Sequence, residues 1–214
     1  MHEVIARLGE LGVVPVVGIE KAPDATRLAD ALVEGGLPCV EVTFRTQAAA
    51  ESIAVLCKRS DILVGAGTVL TVDQAKAARD AGARFMVSPG LNLKVVSYCV
   101  ENKIAFTPGI CTPSDIEAAL NFGLDVLKFF PAEAFGGVRT LKAFSGPYTN
   151  VKFIPTGGIN PMNLSEYLQF PSVLACGGSW IASSSLLSAG RFDDILKNTR
   201  EAVKIAQESR GSDA

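Results

Sequence analysis

Short apolar runs alternate with amphipathic stretches along almost the whole chain. The apolar runs are rich in β-branched residues, and the stretches between them have helical spacing, as in DATRLADALVEGG (24–36). Strands that alternate with helices favour parallel pairing through right-handed crossovers. Eight runs are predicted strands: residues 13–19, 39–44, 62–69, 84–90, 104–110, 125–131, 151–158 and 173–179.

This pattern predicts an α/β fold, a single (β/α)8 TIM barrel that occupies residues 1–214 as one domain. A short N-terminal helix (1–11) and a disordered tail (209–214) are expected at its two ends. The alternative is an open doubly wound sheet, which a GxGxxG turn after the first strand would mark. The chain has GIEKAPD (18–24) at that place, so the barrel is favoured.

Composition narrows the chemistry that the chain can perform. The single histidine, His2, is near the N-terminus, which argues against a histidine-based zinc site or a Ser-His-Asp triad. Five scattered cysteines form no metal-ligand or disulfide pattern, and a net charge of −2 offers no basic field for nucleic acid. We find no secretory or membrane segment. The expectation is a cytoplasmic protein without metal or cofactor, whose chemistry uses Lys, Glu, Asp, Arg, Thr, Ser or backbone groups.

One lysine stands inside an apolar strand, in DVLKFFPAE (125–133). Because side chains alternate along a strand, Leu127 and Phe129 are expected to face the helices and Lys128 the barrel interior. The same alternation in the second strand turns Glu41 inward, within reach of Lys128. A purely structural ion pair remains possible, but buried pairs contribute little to stability. A catalytic pair of acid and base is therefore favoured.

Glycine pairs follow the last two strands, in PTGGIN (155–160) and CGGSW (176–180). In TIM barrels the loops at these places often bind phosphate through backbone N–H groups, and Thr156 and Ser179 would add hydroxyl donors. Gly-Gly also forms ordinary turns, so either pair alone is weak evidence for a phosphate site. The third strand ends in GAGT (65–68), where Thr68 offers another polar contact or simply ends the strand.

Six motifs in this order resemble the 2-keto-3-deoxy-6-phosphogluconate (KDPG) aldolase family: EVTFRT (41–46), VGAGTVL (64–70), VSPG (87–90), KFFPAE (128–133), PTGGI (155–159) and GGSW (177–180). The resemblance implies a metal-free, homotrimeric class I aldolase on a TIM barrel. It further implies that Lys128 forms a Schiff base, that Glu41 transfers protons, and that Arg45 and Thr68 hold a carboxylate. The implied phosphate site and cavity lining are Gly157, Gly158, Gly178 and Ser179, with Thr156, Pro89 and Phe130.

The implied substrate is a phosphorylated 2-keto acid, with no nucleic-acid or membrane partner. KDPG would yield pyruvate and glyceraldehyde 3-phosphate, and 4-hydroxy-2-oxoglutarate would yield pyruvate and glyoxylate. EVTFRT favours this branch over the sister aldolases for the 6-phosphogalactonate epimer, which carry a different second-strand motif. Phe135 departs from the smaller or polar residue expected in many relatives. The remaining alternatives are a galactonate aldolase, and a phosphosugar isomerase or binding protein that forms no imine.

Overall fold

The computed structural model describes residues 1–211, in which strands and helices alternate. The strands are β1 (Val13–Val17), β2 (Cys39–Thr43), β3 (Leu63–Gly67), β4 (Phe85–Val87), β5 (Ala105–Thr107), β6 (Gly109–Ile110), β7 (Val126–Phe129), β8 (Lys152–Pro155) and β9 (Cys176–Gly178). The helices are α1 (Glu3–Leu11), α2 (Asp24–Glu34), α3 (Ala49–Leu56), α4 (Val72–Asp80), α5 (Leu93–Glu101), α6 (Pro113–Leu120), α7 (Gly137–Ser145), α8 (Leu164–Leu168), α9 (Ser184–Ser188) and α10 (Phe192–Arg210), with a 3-10 turn at Glu133–Phe135.

The strands form two parallel sheets that together curl into a half-barrel. Six strands pair in the order β5-β4-β3-β2-β1-β9, and three pair in the order β6-β7-β8. In the registers that matter below, Glu41 lies opposite Val16 on β1 and Gly65 on β3, and Lys128 lies opposite Gly109 on β6. The predicted α/β class with parallel pairing is therefore confirmed.

Every predicted strand contains an observed one, although each observed strand is shorter. The fifth, expected over 104–110, is divided between β5 and β6 at Pro108. Proline has no N–H group to donate to a ladder, which explains the interruption. The strands are buried along nearly all their length because helices cover the outer face and side chains fill the inner one.

The helices pack against the outer side of the sheets as the alternation predicts. Leu127 and Phe129 are completely buried, and the Phe129 ring meets the Phe144 ring of α7 edge to face, with 6.0 Å between centroids. Helices α1, α4, α5, α6 and α9 begin at a side-chain cap. Thr112 and Asp115 form a reciprocal capping box at the start of α6.

Helix α1 ends at residue 11, as the sequence predicts, and begins at Glu3, two residues later than predicted. The single histidine caps it, since His2 Nδ1 accepts a hydrogen bond from the Val4 N–H group. Gly12 ends it with a left-handed φ of 76°. Leu8 lies on the buried face of α1 and packs at the N-terminal end of the strands.

The predicted disordered tail is wrong for residues 209 and 210. Both belong to α10, because Ser209 is buried and its hydroxyl donates to the Ile205 carbonyl. The Arg210 guanidinium donates to the carbonyls of Gly9 and Leu174, which ties the end of α10 to α1. Residues 212–214 of that tail lie outside the described residues. Among residues 1–211 no helix combines the length and the apolar character needed to cross a membrane.

Candidate active site

A lysine and a glutamate meet in the interior between the strands. Lys128 Nζ on β7 lies 3.4 Å from Glu41 Oε1 on β2, and the two residues are only 5% and 3% exposed. This contact is at the long end of hydrogen bonding, so the pair is adjacent without being tightly locked. Gly67 on β3 makes room for it, because a Cβ at that position would overlap Glu41 Oε1. The strand alternation therefore brings together the two residues that the sequence singled out.

The space around this pair is small and mostly apolar. Its volume is ≈ 10 Å³, about enough for one water molecule. The Lys128 ammonium lies 5.4 Å from the centroid of the Phe130 ring. Thr156 contributes a buried hydroxyl that has no hydrogen-bond partner among the described residues. The other lining residues are Leu8, Val14, Phe85, Val87, Thr107 and Ile154.

Two larger clefts lie where the strands begin, at the opposite end of the molecule. One of ≈ 470 Å³ includes Arg59 and Asp61, and one of ≈ 500 Å³ includes Phe122 and Val126. In barrel-like α/β folds the reacting groups stand at the carboxyl ends of the strands. The interior Lys128–Glu41 pair is nearer to that end, so size alone does not identify the candidate site.

Arg45 follows β2 and stands at the mouth of the interior. It is exposed. Its Nε donates to Thr43 Oγ1 at 3.0 Å, and the Thr43 hydroxyl donates to the Val17 carbonyl at 3.1 Å. Buried Thr43 thus links the arginine to the neighbouring strand and leaves the two terminal nitrogens of Arg45 available to a ligand.

Thr68 follows β3, directly beside the end of β2, since Thr43 and Gly67 are register partners. It has a φ of 54°, which is an outlying conformation for a β-branched residue. Backbone strain of this kind is concentrated at functional sites. Pro89, the third predicted contact on this side, is half-buried after β4. Arg45, Thr68 and Pro89 therefore succeed one another along neighbouring strand ends.

The two glycine pairs lie side by side at the other side of the mouth. A parallel bridge joins Thr156 to Gly177, so the loops after β8 and β9 leave the sheets together. Gly157 and Gly158 have φ values of 98° and 84°, which only glycine adopts without strain. Gly178 ends β9, and Ser179 is exposed immediately after it.

Sequence reasoning missed several residues that line the interior. Thr107 could have been found, because the alternation in IAFTPGI (104–110) places it on the same face as Ala105. Leu8 could not, because nothing in the local pattern says which part of the sheet α1 covers. Glu133 and Tyr167 were also missed, although their hydrogen bond lies next to the first glycine pair.

The geometry favours chemistry on a carbonyl group. A buried amine beside a carboxylate can form an imine, with the carboxylate exchanging protons. Among residues 1–211 no cluster of three or more His, Cys, Asp or Glu side chains is arranged to hold a metal ion.

Comparison with known proteins decides the family. The family model of KDPG and KHG aldolases matches residues 4–198. The chain belongs to this family. The resemblance inferred from the six motifs is therefore confirmed, and the KDPG/KHG aldolase family is one of carbon–carbon lyases, as the sequence predicted.

Relatives support the assignment over nearly the full length of this aldolase. It is 48% identical to the 2-dehydro-3-deoxy-phosphogluconate aldolase of Treponema pallidum, over 96% of this chain and 98% of that one. It is 45% identical to the KHG/KDPG aldolase of Escherichia coli K12, over 91% and 92%. A solved structure of the Legionella pneumophila KDPG aldolase holds pyruvate captured at low pH as a covalent carbinolamine. It matches with a TM-score of 0.89 at 38% identity, over 92% of this chain and 97% of that one.

Proposed function

We propose that this aldolase cleaves KDPG to pyruvate and glyceraldehyde 3-phosphate through a Schiff base on Lys128. The observation that carries the proposal is the buried contact between Lys128 Nζ and Glu41 Oε1 at 3.4 Å. Surface ion pairs are common and uninformative, but two charges in an apolar cavity of ≈ 10 Å³ need a reason. Imine chemistry supplies one, since it needs an amine nucleophile and a nearby proton carrier.

The first half of the reaction joins the substrate to the enzyme. Glu41 accepts a proton from Lys128, and the neutral amine attacks the C2 ketone to give a carbinolamine. Glu41 then returns a proton to the carbinolamine hydroxyl, water leaves, and a protonated imine remains.

The second half breaks the carbon–carbon bond. Glu41 accepts the C4 hydroxyl proton, the C3–C4 bond cleaves, and its electron pair moves to the iminium nitrogen to form an enamine. Glyceraldehyde 3-phosphate leaves, C3 is protonated, and water hydrolyses the imine to pyruvate and free Lys128. The apolar walls keep bulk water away from the enamine until the aldehyde has left.

Substrate binding follows from the two sides of the mouth. Arg45 and Thr68 stand on adjacent strand ends, where the guanidinium can form a bidentate contact with the planar carboxylate. The paired glycine loops, with Gly157, Gly158, Gly178 and Ser179, take the phosphate. Thr156, Pro89 and Phe130 line the space between these two groups.

The finer architecture is part of the proposal. Eight strands close into one TIM-barrel domain, supported by the bridges that join Phe153 to Val173 and Thr156 to Gly177 across the gap between the sheets. On the other side, the Lys128 N–H group donates to the carbonyl of Pro108, which separates β5 from β6. Family resemblance supports a cytoplasmic, metal-free homotrimer, which light scattering and a chelator-insensitive activity would test.

A second activity on 4-hydroxy-2-oxoglutarate is favoured by the Escherichia coli relative, whose name covers both substrates. The cleavage chemistry is the same, but the product aldehyde carries no phosphate. The motif EVTFRT (41–46) supports the gluconate rather than the galactonate epimer. Comparing kcat/KM on the three substrates, with pyruvate release coupled to lactate dehydrogenase, ranks these alternatives.

Borohydride trapping tests the mechanism directly. Pyruvate and borohydride together should add a reduced pyruvyl group to the peptide that contains Lys128, and to no peptide in the variant Lys128→Gln. Lys152, which donates to the Pro171 carbonyl at the opposite end of the strands, serves as the internal control. An active enzyme without an adduct on Lys128 would rule out the imine and favour a phosphosugar isomerase or binding protein.

A further inference from the structure

One hydrogen bond beside the candidate phosphate loop has no part in the proposed chemistry. Tyr167 of α8 is completely buried, and its hydroxyl donates to the carboxylate of Glu133 at the start of the 3-10 turn after β7. Burial raises the pKa of Tyr167 far above its ordinary range, and the bond to Glu133 raises it further. The phenol therefore stays protonated and remains a donor to Glu133.

Glu133 in turn lies against the turn formed by Gly157 and Gly158. Its backbone N–H group donates to the Gly157 carbonyl at 3.1 Å, just as the preceding Ala132 donates to Thr156 at 2.8 Å. The side-chain stem of Glu133 covers the Gly158 Cα so closely that a Cβ there would lie 2.5 Å from Glu133 Cγ. Both the backbone and the stem of Glu133 thus fix the position of the glycine turn.

The turn is held from its other side by two amides. Asn160 Nδ2 and Asn163 Nδ2 each donate to the Gly158 carbonyl at 3.2 Å. Gly137, the first residue of α7, completes the surroundings, because a Cβ there would lie 2.9 Å from the Tyr167 hydroxyl. The glycine turn is therefore fixed between the asparagines and Glu133, and the position of Glu133 depends on Tyr167.

We infer that the Glu133–Tyr167 pair is a positioning device for the phosphate loop, and that it sets the preference for phosphorylated over unphosphorylated substrates. This inference rests on the proposed function, because it takes the Gly157–Gly158 turn as the phosphate site. Backbone N–H groups bind an anion well only when they are held in a converging arrangement before it arrives. Loosening the turn weakens binding of the phosphate. Lys128 is unaffected, because its backbone N–H bonds to Pro108 and its side chain contacts Glu41 rather than the turn.

Tyr167→Phe tests the inference because it keeps the buried ring and removes only the donor. The KM for KDPG should rise about tenfold, the size expected for losing a hydrogen bond to a charged group. The rate of borohydride trapping with pyruvate, which has no phosphate, should change less than about twofold. Tyr98→Phe is the matched control, since the Tyr98 hydroxyl is buried without a hydrogen-bond partner and should affect neither quantity.

Variants of Glu133 cover the possibility that Tyr167→Phe folds poorly. Glu133 is exposed apart from these contacts, so its replacement does not disturb the core. Glu133→Ala should raise the KM for KDPG at least as much as Tyr167→Phe, while Glu133→Gln, which still accepts the phenol hydrogen bond, should restore most of the affinity. Selectivity, taken as kcat/KM for KDPG over that for 4-hydroxy-2-oxoglutarate, should fall in parallel with the KM rise.

The possible outcomes separate the inference from the function on which it rests. Equal losses on both substrates, slower pyruvate trapping, or an unchanged KM for KDPG in Glu133→Ala would each overturn the inference while leaving the aldolase mechanism intact. Failure of the wild-type enzyme to form any Lys128 adduct would instead remove the proposed function.

Discussion

The charged residues of the interior pair lie farther apart than those of a cluster on the surface. If both groups served to stabilise the fold, the buried pair would be expected to have the shorter contact. On the surface Arg59 binds Asp30 at 2.5 Å and Asp61 at 2.8 Å, and it holds the pKa of Asp61 below its usual range by donating to it. In the interior Lys128 and Glu41 are almost fully buried yet stand 3.4 Å apart. The tighter contacts lie where solvent screens them, and the looser contact lies where desolvation is most costly.

This difference indicates that the interior pair is not present for stability. An ion pair that stabilises a core needs excellent geometry and additional hydrogen bonds to offset desolvation. The Lys128–Glu41 pair lacks that close contact. The Arg59 cluster has the short contacts of a stabilising ion pair and takes no part in the proposed reaction. The Lys128–Glu41 pair takes part in the proposed reaction and lacks those short contacts.

The strongest test replaces both members of the interior pair with apolar side chains. Lys128→Met combined with Glu41→Met should abolish pyruvate release, by at least about 10³-fold. The melting temperature should stay the same or rise, because removing both buried charges also removes their desolvation. Calorimetry and the coupled assay measure the two effects, and a lower melting temperature would show that the pair stabilises the fold after all.

Glu41→Gln separates the two members of the pair. It preserves shape but removes the proton carrier, so kcat should fall by about 10²–10⁴-fold with little change in KM. The matched control is Glu34→Gln, a surface carboxylate paired with Arg200, which should leave the kinetics unchanged. An unaltered kcat in Glu41→Gln would remove Glu41 from the mechanism and leave Lys128 without an identified base.

The comparison of buried ionisable groups extends to the cysteine thiols, which ionise at alkaline pH. Burial raises the pKa values of Cys39 and Cys176 and raises that of Cys99 to about 12, whereas an unfolded thiol ionises near 9.0. Because the folded thiols keep their protons, the unfolded chain is favoured as pH rises above 9, by about 1.4 kcal/mol per pH unit for each thiol. Urea unfolding between pH 8 and 10 measures how the free energy of unfolding changes with pH. This range extends about one unit on either side of the thiol pKa in the unfolded chain. Cys99→Ala should lower the slope of this pH dependence, and an equal slope in that variant would contradict the assignment.

The smallest effect is expected at the surface cluster. Arg59→Met should lower the melting temperature by at most about 3 °C and leave activity unchanged. Since the pKa of Asp61 is lowered in the folded state, this contribution is present above the usual Asp pKa and disappears as pH falls below about 4. Scanning calorimetry of both proteins at pH 7 and pH 3 should give a smaller difference at the lower pH. A persistent difference would point to packing of the arginine stem instead.

The features that the sequence predicted correctly follow from the two-residue alternation of side chains along a strand. Lys128 turns inward and Leu127 and Phe129 turn outward because alternation along a strand is a local property. The predicted strands extend too far toward the C-terminus. The loops that follow them, such as residues 156–158, contain no charged residue that marks the boundary. The break at Pro108 follows from the sequence, because proline has no N–H group to donate to a strand ladder.

The remaining features depend on contacts between distant parts of the chain. Glu133 lies in the KFFPAE motif, but Tyr167 is 34 positions away and nothing in the sequence pairs the two side chains. Leu8 closes the interior from below only because α1 packs across the beginning of the strands. The end of α10 is ordered because Arg210 finds carbonyl acceptors on Gly9 and Leu174, which no local propensity reveals.

The contact between Arg210 and Gly9 has a consequence for synthesis on the ribosome. The helix that carries Leu8 is synthesised well before α10, because the hydrogen bond from Arg210 to Gly9 spans 201 positions. A nascent chain can complete the strands that bear Lys128 and Glu41 long before this contact is available. The bond that ties the end of α10 to α1 forms only after residue 210 has been synthesised.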